Sequence, residues 1–108
     1  MKLFTKAITA KLSANNAAQD GTKDFKPVVK LFVPWGAGTW LLSEMDENGI
    51  AFGLCDLGHG SPEMGYVDTN EIMSVRGPFG LKIERDMHWK ADRTLTEYAA
   101  DARIKGHI

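Results

Sequence analysis

The sequence predicts an α+β fold: a small, mostly antiparallel sheet or partly open β-barrel with helices against it. Three observations carry that reading. The apolar pattern changes from a helical to an extended period at Val28. Two apolar extended runs flank an Asn48–Gly49 turn of the kind that closes hairpins. Helix-capping residues stand at Thr5, Asp68 and Thr94, each ahead of a helical pattern. The chain of 108 residues has the length of one domain, 1–108.

The elements follow in order. Thr5 to about Ala18 reads as a short amphipathic helix capped by Thr5, with Leu3, Ile8 and Leu12 on one stripe and fading at Asn15–Asn16. Asp20 to Pro27 is a polar loop. Val28–Val33 is β-branched and apolar, and Pro34 stops it. Gly38–Met45 is a second strand, Asp46–Gly49 a turn and Ile50–Leu57 a third strand. This third strand is apolar on both faces, so it reads as central, with Gly53 marking a bulge or a close backbone crossing. Tyr66–Val67 is a short extended piece. Asp68–Gly77 reads as a short helix with Asp68 and Glu71 spaced as a capping box. Leu81–Trp89 alternates and reads as a strand. The last helix starts at Thr94, whose box partner is Glu97. Its stripe is Leu95, Tyr98, Ala99 and Ala102, and Gly106 ends it.

Composition narrows the function classes. One cysteine, Cys55, excludes an internal disulfide and a cysteine-rich zinc site. The amino terminus is broken by Lys2, Lys6 and Lys11 and lacks a signal-peptide core, and no apolar run reaches membrane-spanning length. The expected location is the cytoplasm. Net charge is −1, but unevenly placed: residues 1–30 carry +4, residues 31–75 carry −7 with no lysine or arginine, and residues 76–108 carry +2. A fold that keeps these blocks apart has a positive and a negative face.

The glycine-rich stretches do not match phosphate-binding loops. PWGAGTW lacks the Walker lysine, and Leu41 stands where the dinucleotide fingerprint needs glycine. The glycines read as turns. Trp40, inside a strand, reads as core. Trp35, beside a proline at a turn, reads as partly exposed, either a lid over the core or a ring free to stack on a base. Cys55 lies in the most apolar strand and reads as a buried structural thiol. Asp56, His59 and Glu63, with His88, match no metal-ligand spacing, and no cofactor or metal is called for. On the strand expected at Leu81–Trp89, Lys82, Glu84, Asp86 and His88 alternate onto one face, either solvated or lining a polar cleft in which Glu84 and His88 pair as acid and base. Arg76, Lys82, Arg85, Lys90 and Arg93 gather around that strand as the best basic group.

Three phrases together, PWGAGTW, FGLCDLGHGSPEMGYV and GLKIERDMHW, followed by the TLTEYAADAR helix, resemble the bacterial domain-of-unknown-function family 2958 (DUF2958) over nearly the whole chain. The resemblance implies a small cytoplasmic protein of plasmids and integrative conjugative elements, encoded among genes that handle DNA. It carries no established reaction and no catalytic residue. By analogy alone, an ASCH- or PUA-like module is a conceivable architectural relative.

Two readings of function follow, with a third behind them. The first is a nucleic-acid-binding or DNA-handling accessory protein, in which Arg76, Lys82, Arg85, Lys90 and Arg93 contact phosphates of DNA or RNA and Trp35 or His88 meets a base. The second is a protein-interaction module, or an inhibitor of a DNA-processing or host-defence enzyme, working through an acidic face of Asp56, Glu63, Asp68 and Glu71. The third, a small hydrolase or nuclease using Asp56, His59, Glu84 or His88, has no nucleophile–base spacing to support it.

Overall fold

In the computed structural model, which describes all 108 residues, α1 (Lys6–Ala18) precedes three strands, β1 (Val29–Phe32), β2 (Thr39–Met45) and β3 (Ile50–Asp56). Then come β4 (Glu63–Asp68), α2 (Thr69–Ser74), a 3-10 turn at Pro78–Gly80, β5 (Glu84–Arg85) and α3 (Leu95–Lys105). The five strands form one sheet in the order β4-β3-β2-β1-β5, antiparallel throughout. The sheet is open, with β4 and β5 as its edges.

Helices cover both faces. Leu12 of α1 and Ile72 of α2 join Val29, Leu31, Trp40, Leu42 and Ala51 in the larger core. On the opposite face, Leu95, Ala99 and Ala102 of α3 pack on Leu41 and Leu54. This double cover explains why β2 is buried from Trp40 through Met45.

Local signals set the helices. Thr5 accepts a hydrogen bond from the Ile8 amide at 3.2 Å. The helix does not fade at Asn15, because the buried Asn15 donates its Nδ2 to the Ser43 carbonyl at 2.9 Å. Asp68 caps α2 by accepting from the Asn70 amide, and Glu71 makes no reciprocal bond, so the expected capping box there is a single Asx cap. At α3 the box is present: Glu97 accepts from the Thr94 amide at 3.0 Å, and Gly106 ends the helix at φ 81°.

Two strands differ from expectation. β4 is six residues long, where only Tyr66–Val67 reads as extended in the sequence. Its residues pair with Ile50–Cys55, and that ladder overrides the weak strand preference of Glu63 and Gly65. The strand expected at Leu81–Trp89 shrinks to Glu84–Arg85. The Asp86 carboxylate accepts from the His88 amide, and Asp86 O from the Trp89 amide, so a turn replaces the ladder.

Candidate nucleic-acid interface

Between α2 and β5 the chain crosses back over the larger core, and the crossing contains a projecting loop. Gly77 lies flat on the Trp35 indole; a β-carbon there would sit 2.5 Å from the ring. Trp35 is therefore a lid, half-buried and packed against the core, and it lines a mainly apolar groove with Val33, Trp40, Ile72, Val75 and Ile83, whose lining also includes Asp68 and Glu71. After Gly77 the loop is closed by backbone hydrogen bonds from Gly77 N to Leu81 O (2.7 Å), Gly80 N to Gly77 O and Leu81 N to Pro78 O (both 3.1 Å). These bonds hold Phe79 at φ 57°, ψ 23°, the one non-glycine residue of the chain at positive φ. Phe79 is fully exposed. An aromatic ring in a left-handed turn, with nothing covering it, combines backbone strain with unburied apolar surface.

The loop is flanked by Arg76 and Lys82, both exposed. Arg76 turns one guanidinium nitrogen back onto the Met73 and Val75 carbonyls, each at 2.9 Å, which fixes the side chain beside the loop. Lys82 makes no ion pair.

The other expected cations have different surroundings. Arg85 is half-buried in β5 and donates to the Leu3 carbonyl at 3.2 Å, pinning the amino-terminal segment to the sheet edge. Arg93 lies 3.3 Å from Asp92 and 3.8 Å from Asp101, and over the Tyr98 ring at 4.5 Å. Its charge is already matched. Lys90 and His88 are exposed. Of the five cations expected to act together, Arg76 and Lys82 share a loop, Lys90 lies further along, and Arg85 and Arg93 serve structure.

Glu84 and His88 are not joined by a hydrogen bond, because the turn at Asp86 breaks the alternation that would align them. Asp56, His59, Glu63 and His88 do not gather; no three His, Cys, Asp or Glu side chains form a metal-holding group. Asp56 is not on the acidic face at all. It is 4% exposed and accepts from the Gly58 amide (2.8 Å) and the Ile108 amide (3.0 Å), tying the end of the chain to β3. Glu63 and Glu71 are exposed, and Asp68 is half-buried as the α2 cap. Burial pushes the Cys55 thiol up from 9.0 to about 11, so it is no ready nucleophile at neutral pH.

Phe79 escaped the sequence reading. Gly77-Pro78-Phe79-Gly80 reads as a turn in the sequence, and the available signal is an aromatic set between turn formers with no strand or helix to bury it.

A family model described as protein of unknown function (DUF2958) matches residues 3–108. The chain belongs to the DUF2958 family. No curated protein and no solved structure gave a match. No helix is long and apolar enough to cross a membrane.

Proposed function

We propose that this DUF2958 protein is a cytoplasmic, nucleic-acid-binding accessory protein of bacterial mobile elements, and that it holds single-stranded DNA or RNA. The observation that carries the reading is Phe79, fully exposed in a left-handed turn between Arg76 and Lys82. Every base has a π-face, so a bare ring between two cations offers stacking and phosphate neutralisation together, without sequence preference. Duplex DNA keeps its bases stacked and denies the ring a partner. Trp35 supports the loop from below through Gly77.

The test is a titration with labelled single-stranded and duplex oligonucleotides at two salt concentrations. With Arg76, Lys82 and Lys90 on phosphates, log Kobs falls against log salt with a slope of about −2, since each contact contributes roughly 0.7 on a single strand. Absence of binding at low salt, or equal affinity for duplex, rejects the reading.

A second reading, a protein-interaction module, is favoured by β4. This edge strand has six residues and no partner on its outer side, and Tyr66 on it is 76% exposed. It belongs to the segment without lysine or arginine; Glu63 is its first residue, and Glu71 follows in α2. A basic extended segment fits such an edge by strand addition. Binding of a Lys/Arg-rich β-strand peptide that is lost on Tyr66→Pro, with oligonucleotide binding absent, favours this reading over the first.

A further inference from the structure

The second site lies on the α3 face of the sheet, and a β-bulge creates it. Leu42 pairs with Gly53, but the next pair is Glu44 with Phe52, so Ser43 is an extra residue in β2. Regular alternation would place Glu44 on the face of Leu42, inside the larger core. The bulge turns it to the other face, beside Phe52. Gly53 permits this: a β-carbon there would stand 2.0 Å from the Leu41 carbonyl oxygen. The Ser43 carbonyl displaced by the bulge is taken up by Asn15. Three residues on three elements thus hold one carboxylate in an orientation that β-sheet regularity would deny it.

The re-aimed Glu44 is 8% exposed. One oxygen accepts from Gln19 Nε2 at 2.8 Å; the other has no protein donor, and no cation lies within ion-pair distance. It lines a cavity of about 390 Å³ between the Gln19–Phe25 loop and the sheet, walled by Phe52 and Tyr66. Those two rings sit 5.0 Å apart. The volume is that of a small-molecule site. The second carboxylate of the lining is Asp24. Burial pushes Asp24 up, but bonds from the Thr96 and Thr94 hydroxyls and the Thr96 amide outweigh it and hold it below the usual range. Lys23, also in the lining, forms no ion pair.

We propose that this cavity binds a guanidinium group, paired with Glu44 and stacked against the Phe52–Tyr66 wall. A carboxylate on the cavity wall with one oxygen that no protein group uses can accept a charge-assisted donor there, and a planar cation matches both the carboxylate and the aromatic face. The guanidinium comes either from a free small molecule or from an arginine side chain of a partner. This site is separate from the Phe79 loop and does not depend on the nucleic-acid reading.

The experiment is a calorimetric and NMR titration of the intact protein with agmatine, with N-(4-aminobutyl)urea as the analogue that keeps the ammonium and lacks the guanidinium charge, and with a blocked Gly-Arg-Gly peptide. Agmatine should saturate, shifting the amides of Glu44 and Phe52, while N-(4-aminobutyl)urea binds at least about tenfold more weakly. Glu44→Gln should lower agmatine affinity about tenfold or more. Should that variant fail to fold, Tyr66→Ala, at an exposed ring, should lower it severalfold. Agmatine at least as tight as the peptide identifies a free ligand; a peptide tenfold tighter identifies a partner's arginine. Equal binding of N-(4-aminobutyl)urea, no saturation by about 10 mM agmatine, or unchanged affinity in a folded Glu44→Gln overturns the proposal.

Discussion

Phe79→Gly separates the stability of the loop from its use. The ring is fully exposed, so its removal costs no buried area. The left-handed conformation at φ 57° costs an L-residue roughly 1–2 kcal/mol, which glycine does not incur. Glycine's greater freedom in the unfolded chain takes back about 0.4–1 kcal/mol. The net effect is a gain of about 0.5–1 kcal/mol, raising Tm by roughly 2–8 °C for a chain of this size. Affinity for a single-stranded oligonucleotide moves the other way. Loss of one stacking platform costs about 1–3 kcal/mol, or roughly fivefold to 150-fold in Kd. Thermal melts and anisotropy titrations on the same preparation read both. A variant that melts lower by several degrees would mean the ring packs on its surroundings. A variant that binds as well as the parent would mean Phe79 is not a stacking residue. Either result refutes the reasoning.

Other expectations concern the frame around the two sites. Gly53→Ala should destabilise by more than about 3 kcal/mol in urea titration, because the clash is with the Leu41 backbone and not with a movable side-chain tip. Cys55 should react slowly with a disulfide reagent at pH 8 in the native state and quickly in urea; because its folded pKa of about 11 exceeds the ordinary 9.0, stability should fall as pH rises through that window, where the unfolded thiol ionises first. Asp24, held below 3.8, stabilises the fold above that value and loses its contribution as pH falls through its lower folded value; Asp24→Asn should therefore lower the urea midpoint at neutral pH, by a difference that shrinks as pH falls below 3.8.

What was legible in the sequence was local. Thr5, Thr94 with Glu97, and Gly106 announce helix ends because capping involves residues three or four apart. The β2–β3 hairpin is announced by Asp46–Gly49, where Asp46 Oδ1 accepts from the Asn48 and Ile50 amides and Gly49 takes φ 84°. Gly53 was readable as a bulge or crossing because glycine inside an apolar strand has few other uses. What was hidden depends on partners distant in sequence. β4 exists because β3 offers a ladder, and Arg85 is spent on Leu3, 82 residues away. Asp56 looks like a surface acid until the Ile108 amide is found on it. The direction of Glu44 follows from the bulge, which alternation alone puts on the wrong face.

The sheet order gives the uneven charge its physical meaning. The acidic segment supplies β2, β3, β4 and α2, while β1 begins at the end of the basic amino-terminal block and β5 comes from the basic carboxy-terminal one. Ordered β4-β3-β2-β1-β5, the strands place the β4 and β5 edges four inter-strand spacings apart, about 19 Å. That exceeds the Debye length of roughly 8 Å at physiological salt, so charges on one edge are largely screened from a ligand at the other, and local charge counts for more than the net value. A net charge of −1 therefore does not argue against a polyanion site on this protein. The Glu44 cavity is lined by β2, β3 and β4 of the acidic segment, so a guanidinium is attracted to it.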